Sequence, residues 1–349
     1  MSGLSKVGAK KNLNKVSVLF AEDKSSIRST IRNVLAQEGL IHTRDFMRLD
    51  PVRAALSSEM PDLLILDAEL EDKVGNAVTL VRDIRYGRMG KNPYIPIIAT
   101  LWSTDSKIVS SIIDAGADDI LLKPFSPNGL MDRIKALISA RKEFIVTSDY
   151  IGPDRRKDVQ RGSSIQSMPV PNTLSAKVAG KQISPVELSR AITRVNEQVN
   201  EMKMQRNAFQ ISFLVEMLIP KLKASDNSSE VEDYVRRLHK SSADTAARLA
   251  GTSYEHVSEL CDSLTTTSLS LLANLGDPNS KDVQLIKPLS DAILLAFNPD
   301  TDAESLSGQI TGAVSGFHKR QAEKKRKMEQ LELDRAAAAQ SAKDAAGSR

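Results

Sequence analysis

The sequence is poor in cysteine and in aromatic residues. Its 349 residues include one cysteine, Cys261, and aromatic residues make up 4% of the chain. A lone cysteine excludes an internal disulfide framework and fits a reducing compartment such as the cytosol. The apolar content is therefore mostly Leu, Ile, Val and Ala, a composition that favours helix-rich cores.

Long apolar runs and a strong net charge are also missing. No stretch reaches the roughly 18 consecutive apolar residues of a membrane span. Residues 1–13 are basic without a following apolar segment, so we interpret them as a basic tail rather than a secretory signal. A formal charge of +4 is too small, over this length, to argue for nucleic acid by itself. These features predict a cytoplasmic protein with two folded units.

Residues 14–145 alternate short apolar runs with amphipathic stretches. Because the clearest runs are apolar on both faces, they predict a five-stranded parallel sheet with helices on both sides, an α/β domain. The predicted strands are Val16–Phe20, Thr43–Phe46, Leu63–Leu66, Ile95–Thr100 and Ile120–Leu122. The predicted helices are 25–38, Val52–Ser57, Ala77–Arg85, Ile108–Asp114 and Gly129–Phe144.

The rest of the chain divides into three further segments. Residues 146–182 are rich in Pro, Gly, Ser and basic residues without a sustained period, which predicts a linker. Its Tyr150–Arg156 stretch is either a docking peptide or plain linker. Residues 183–300 show helical periodicity and no strand pattern, which predicts an all-α helical bundle. Residues 301–349, rich in Ala, Lys, Glu and Arg, predict a charged helical tail.

The first helix of the bundle has a recognisable beginning and end. Ser184, Pro185 and Glu187 form the pattern of a capped helix start, and Pro220 is expected to limit the helix near Leu218. Further helices are predicted at Ser229–Ala250, Ser253–Leu275 and Val283–Phe297, the last bent by Pro288.

Charged residues follow three of the predicted strands in the first domain. Glu22 and Asp23 follow the first strand, Asp67 the third and Lys123 the fifth. Because ligands of doubly wound sheets bind at the carboxyl ends of the strands, these side chains are expected at one rim. Three clustered carboxylates predict a hard divalent cation, and Mg²⁺ suits oxygen ligands that also face a phosphate. Asp67 is then placed to act as an aspartyl nucleophile towards phosphorus.

Segment 14–145 resembles the receiver domain of bacterial two-component response regulators, which has a flavodoxin-like fold. The resemblance is carried by Phe20–Asp23, Leu64–Asp67, Gly75, Pro96–Ile98, Ala115–Ala117 and Lys123–Phe125. It implies that Glu22 and Asp23 bind Mg²⁺, that Asp67 is phosphorylated, and that Lys123 contacts the phosphate. It also implies that the backbone carbonyl of Glu69 is a further metal ligand and that the Lys123–Pro124 bond is cis.

The segment departs from the family at the residues that usually report phosphorylation. By spacing from Lys123, the switch Ser or Thr falls on Leu101, and the switch aromatic falls on Ile120. Either the strand is offset so that Thr100 or Ser103 supplies the hydroxyl, or the signal takes another route. Trp102 stands where the family has a small residue, and we interpret it as a packing residue.

The resemblance implies a phosphorelay response regulator, a signalling switch rather than a metabolic enzyme. Its expected phosphoryl donor is a histidine kinase or phosphotransfer protein. The helical unit is expected to contact a protein partner, with a homodimer as a further option. A nucleic-acid partner is disfavoured because the predicted helix 253–275 contains no Lys or Arg.

Two other outputs stay open at this point. One is a DNA-binding transcription regulator, for which the six basic residues between Lys319 and Lys327 offer a charged patch. The other is a helical phosphatase, which needs an exposed acid or amide, and Gln198, Glu201 and Gln210 are options.

Overall fold

The computed structural model describes residues 12–102, 106–156, 166–299 and 301–346. It divides into two compact units, Met1–Met202 and Lys203–Arg349. Ser103, an alternative source of the switch hydroxyl, and most of the N-terminal basic tail lie outside the described residues. No helix in the described ranges is both long and apolar enough to cross a bilayer.

The first unit is built on a five-stranded parallel sheet in the order β2-β1-β3-β4-β5. Its strands are β1 Ser17–Ala21, β2 His42–Phe46, β3 Leu63–Asp67, β4 Ile97–Leu101 and β5 Asp119–Leu122. The surrounding helices are α1 Ser25–Gln37, α2 Leu49–Ser58, α3 Ala77–Arg85, α4 Ser106–Asp114 and α5 Pro127–Ser139. This arrangement confirms the predicted flavodoxin-like α/β fold.

The alternation of side chains along each strand gives the sheet two apolar faces. Leu64 and Leu66 of β3 belong to one core cluster, which α2, α3 and α4 cover. Leu63 and Ile65 of the same strand belong to the opposite cluster, which α1 and α5 cover. Because both faces are buried, the strands contain continuous apolar runs instead of alternating ones. The runs that predicted the strands are therefore a direct consequence of the two-sided helical cover.

The end of α5 differs from its prediction. The helix was expected to reach Phe144 but ends at Ser139, and Phe144 begins a new strand. Arg141, just beyond the helix, donates to Asp118 at 2.7 Å, and Phe144 is fully buried against Tyr94. These long-range contacts outweigh the local helical periodicity.

Segment 146–182, expected to be an irregular linker, contains regular structure. Strands β6 Phe144–Val146, β7 Ile151–Pro153 and β8 Ser167–Met168 form a small antiparallel sheet in the order β7-β6-β8. Helix α6 Thr173–Val178 follows. The guanidinium of Arg155 donates to the carbonyls of Ala117 and Asp118. The Tyr150–Arg156 stretch is thus docked on the sheet domain of its own chain.

Helix α7, Pro185–Lys223, begins at the predicted capping pattern. Ser184 and Glu187 exchange backbone-to-side-chain hydrogen bonds at 2.8 and 3.2 Å, as a capping box does. The expectation that Pro220 ends the helix is wrong, because the helix continues to Lys223. A proline within the last turn removes only one hydrogen bond, and its carbonyl still accepts from Ala224. The boundary between the two units falls inside this helix.

In its described residues, the second unit consists of helices joined by turns and loops, without strands, as predicted. Its helices after α7 are α8 Ser229–Leu249, α9 Ser258–Ala273, α10 Ser280–Ala296 and α11 Ala303–Ala346. They enclose one apolar cluster, which includes Leu214, Leu238, Leu264 and Ile293. Helix α10 continues through Pro288, and α9 begins five residues after its predicted start because a 3-10 turn, Glu255–Val257, precedes it. The shared apolar cluster defines a helical bundle with its own core.

Candidate functional site

The predicted acidic residues meet at the carboxyl edge of the parallel sheet. Glu22 and Asp23 follow β1, and Asp67 is the last residue of β3, a neighbouring strand. One oxygen of each carboxylate lies within 4.8 Å of the others. Glu22 and Asp67 are buried, whereas Asp23 is exposed. The parallel register brings these residues together although 44 positions separate Asp23 from Asp67.

Lys123 completes the site from the other side. Its ammonium nitrogen lies 2.7 Å from Oε2 of Glu22 and 2.7 Å from Oδ2 of Asp67. Its side chain is fully buried, so this charge is shielded from solvent and interacts strongly with both carboxylates. The peptide bond between Lys123 and Pro124 is cis, as the resemblance implied. The ammonium of Lys123 is thus shared between two buried carboxylates.

The ionisation of Glu22 reflects this crowding. Burial raises the pKa of the Glu22 carboxyl above its ordinary value, because a charged form loses its water. The hydrogen bond from Lys123 opposes the rise, and the neighbouring charge of Asp67 adds to it. A pocket with an excess of negative charge is one that a further cation would stabilise.

Glu69 contacts the pocket through its backbone and its side chain. Its N–H donates to Oδ1 of Asp67 at 3.1 Å, which orients the Asp67 carboxylate. Its own carboxylate accepts the backbone N–H of Trp102 at 3.1 Å. The metal-ligand role assigned to the carbonyl of Glu69 stays a prediction.

The switch residues lie on different faces of the sheet. Leu101 is fully buried in the cluster that contains Leu66 and Ala99, and Ile120 packs against the same cluster. Thr100 is paired with Asp67 in the β3–β4 register, on the face that contains Ile98. Its hydroxyl is buried and has no hydrogen-bond partner among the described residues. Thr100 therefore places its hydroxyl on the Asp67 side of the sheet, whereas Leu101 faces the opposite core cluster.

Trp102 is a site neighbour that the sequence did not identify. Its ring centre lies 4.4 Å from the ammonium nitrogen of Lys24 and 5.8 Å from that of Lys123. The sequence offered one signal, a tryptophan where receivers have a small residue. Without the fold, its contact with both lysines could not be deduced.

The fold and this site define a doubly wound α/β domain with an acidic pocket and a buried lysine at its carboxyl edge. Residues 18–135 match the family described as response regulator receiver domain. The N-terminal region of the chain is thus a receiver domain, homologous to those of response regulators.

Individual relatives match stretches of 123 to 190 residues. Transcriptional regulatory protein GltR of Pseudomonas aeruginosa is 37% identical over 123 residues, 35% of this chain and 48% of that protein. Protein-glutamate methylesterase/protein-glutamine glutaminase 2 of Rhizobium johnstonii is 28% identical over 190 residues, 53% of this chain and 48% of that protein. The solved structure of Vibrio cholerae chemotaxis protein CheY4 is 22% identical, with a TM-score of 0.31, and the match covers 34% of this chain and 96% of that one.

The chain spans about half the length of the curated relatives it matches. Those relatives include named transcriptional regulators and a methylesterase. The expectation that a nucleic-acid partner is disfavoured therefore gains no support from them, and an enzymatic output is not excluded.

Proposed function

We propose that this chain is a cytoplasmic response regulator of a phosphorelay, with Asp67 as its phosphoryl acceptor. One observation carries the proposal: Lys123 lies 2.7 Å from Asp67, beside three carboxylates that converge within 4.8 Å. The donor would be a histidine kinase or a phosphotransfer protein. Receiver domains act with such partners, and the convergence of Glu22, Asp23 and Asp67 beside Lys123 supports the same role here.

The chemistry follows from the positions of these residues. An oxygen of the Asp67 carboxylate attacks the phosphorus of a phosphohistidine, and a new O–P bond forms while the N–P bond breaks. The electron pair of the broken bond returns to the imidazole nitrogen. Lys123 donates to the charged oxygens of the product, and the Glu69 N–H holds the second carboxylate oxygen in place.

The donor set fits a magnesium ion. Glu22, Asp23 and Asp67 supply oxygen ligands only, and the exposure of Asp23 leaves room for water, which Mg²⁺ usually retains. When bound, Mg²⁺ would offset the charge of the carboxylates and of the incoming phosphoryl group. We assign Thr100 as the hydroxyl that bonds the phosphoryl group, because its buried oxygen has no partner among the described residues.

The output is proposed to be protein contact through the helical unit. Helix α9, Ser258–Ala273, contains no Lys or Arg and so lacks the charge of a DNA recognition helix. A transcription regulator is the second candidate, because the basic run between Lys319 and Lys327 on α11 is solvent-exposed wherever its side chains are described. Binding of labelled duplex DNA across a salt series separates the two.

Labelling with phosphoramidate and Mg²⁺ tests the acceptor. The wild-type chain should incorporate one phosphoryl group, Asp67→Asn should incorporate none, and EDTA should abolish labelling of the wild type. Equal incorporation by the wild type and Asp67→Asn would show that Asp67 is not the acceptor. Size measurement on the labelled samples reports whether the assembly state responds.

A further inference from the structure

Asp67 is almost inaccessible for a group that must meet a phosphoryl donor. The residue is 2% exposed, and the side chains of Lys123 and Glu22 beside it are fully buried. A donor must approach an Asp67 oxygen in line with the bond that breaks. A donor must therefore pass the side chains that surround Asp67.

Among the described residues, Trp102 is a large side chain next to the lysine that contacts Asp67. It directly follows β4, is 40% exposed, and its ring stands 5.8 Å from the Lys123 ammonium that contacts Asp67. Its backbone N–H donates to the Glu69 carboxylate, two residues beyond Asp67. The indole thus lies beside the buried lysine and is partly exposed to solvent, and the backbone of Trp102 is joined by a hydrogen bond to the loop that follows Asp67.

Lys24 holds the outer part of this arrangement. Its ammonium lies 4.4 Å from the centre of the indole ring, a distance at which cation–π attraction acts. Its backbone N–H donates to Oε1 of Glu22 at 3.2 Å, so the residue is anchored to the pocket itself. A flexible lysine in this position can exchange an aromatic face for an anion, since its ammonium is a mobile point charge.

We propose that Trp102 and Lys24 form a cover that controls access of phosphodonors to Asp67. In this proposal, which rests on the function proposed above, Lys24 leaves the indole to bind the phosphate oxygens of an incoming donor. The indole, no longer held, then moves from the approach to Asp67. The ligand class is a phosphoryl-bearing anion, and Trp102 and Lys24 determine which donors reach the acid.

The test uses the full chain with Mg²⁺ and phosphoramidate as the probe. Initial rates of phosphoryl incorporation are measured against probe concentration for wild type, Trp102→Ala, Trp102→Phe, Lys24→Met and Lys24→Arg. Lys73→Met is the matched control, because it makes the same charge change at an exposed position in the loop after β3. Circular dichroism melts confirm that each variant is folded.

Trp102→Ala should raise the maximal rate and shorten the lifetime of the aspartyl phosphate by about threefold to fivefold, the effect of one exposed cation–π contact. Trp102→Phe should lie between Trp102→Ala and wild type. Lys24→Met should raise the half-saturating probe concentration by a similar factor, and Lys24→Arg should restore it. Lys73→Met should match the wild type in both parameters.

A second readout is independent of turnover. Trp102 is the single tryptophan of the chain, so its fluorescence reports this position alone. Mg²⁺ with phosphoramidate should change the emission of wild type, and Lys24→Met should reduce that change by at least half. Failure of wild type to label above Asp67→Asn defeats the proposed function. Normal labelling with unchanged rates in Trp102→Ala and Lys24→Met, together with an emission change in Lys24→Met equal to that of wild type, defeats the cover alone.

Discussion

At the scale of single residues, Lys123 is the centre of the site. One ammonium is shared by two buried carboxylates, Glu22 and Asp67, at 2.7 Å each. A buried charge without its partner is far more costly than the same charge in water. The lysine that we propose for the transfer chemistry is therefore also expected to stabilise the fold.

Replacing Lys123 by methionine should lower the free energy of unfolding of the first unit by about 3 kcal/mol in EDTA-containing buffer. The physical reason is that Glu22 and Asp67 would lose their shared cation while staying buried. Urea titration followed by the fluorescence of Trp102 measures this, because the only tryptophan lies in the first unit.

The double variant Lys123→Met with Glu22→Gln supplies the control. It removes one of the two uncompensated acids and should recover part of the lost stability. If Lys123→Met unfolds at the same urea concentration as Lys73→Met, the shared ammonium has no structural role.

At the scale of elements, a buried arginine joins α3 to the strands beside it. The Arg85 guanidinium donates to the carbonyls of Gly116, Pro93 and Ile95 and forms an ion pair with Asp118 at 2.7 Å. Arg141, from the segment after α5, donates to the same Asp118 carboxylate. The small β6–β8 sheet thus lies next to a buried ionic network that involves Arg85, Asp118 and Arg141.

Gly116 is a tightly packed backbone position in this contact. Its φ is +100°, and an added Cβ would lie 2.8 Å from both Cγ of Arg85 and the carbonyl oxygen of Ile151. Gly116→Ala should therefore lower the free energy of unfolding by about 3 kcal/mol, because of backbone strain and overlap with these two atoms. Chemical denaturation by urea, followed by circular dichroism, measures the loss.

Gly87 provides a matched control for the strain alone. Its φ is +70°, but the nearest atom to an added Cβ is 3.9 Å away, on Pro93. Gly87→Ala should cost about 1 kcal/mol. Equal losses for Gly87→Ala and Gly116→Ala would show that the contact with Arg85 and Ile151 adds nothing.

At the scale of the whole molecule, each unit contains its own unique probe. Trp102 lies in the first unit, and Cys261 lies in the core of the second. Burial raises the pKa of the Cys261 thiol to about 12, and the charge of Asp262 adds to the rise. Since only the thiolate reacts, the folded second unit should protect this cysteine from thiol reagents.

Reaction of Cys261 with a disulfide reagent at pH 8 should be about a thousandfold slower in the folded chain than in urea, as a rise of the pKa from 9.0 to about 12 implies. Absorbance of the released thiol product measures the rate. In the variant Cys261→Ser with Ser263→Cys, the thiol lies at an exposed position of the same helix and should react quickly. Rapid labelling of folded wild type would contradict the buried position of Cys261.

The sequence alone determined the sheet domain and the acidic residues of its site. Both are local signals: apolar runs of strand length, and charged residues placed directly after them, as with Asp67 and Lys123. Because parallel strands present their carboxyl ends at one edge, position along the chain was enough to predict that these side chains meet.

Only the tertiary structure decided the neighbours of Trp102 and the presence of the appended sheet. The sequence indicated a packing residue at Trp102, because its two lysine contacts come from positions 24 and 123, which are distant in sequence. The sequence placed Phe144 at the end of a helix, because its burial depends on a contact with Tyr94, which lies 50 positions away in the sequence. Thr100 and Leu101 are adjacent, and only the strand register assigned one to the pocket face and the other to the core. Local pattern fixes which elements form, whereas contacts between distant segments determine which face and which partner each side chain has.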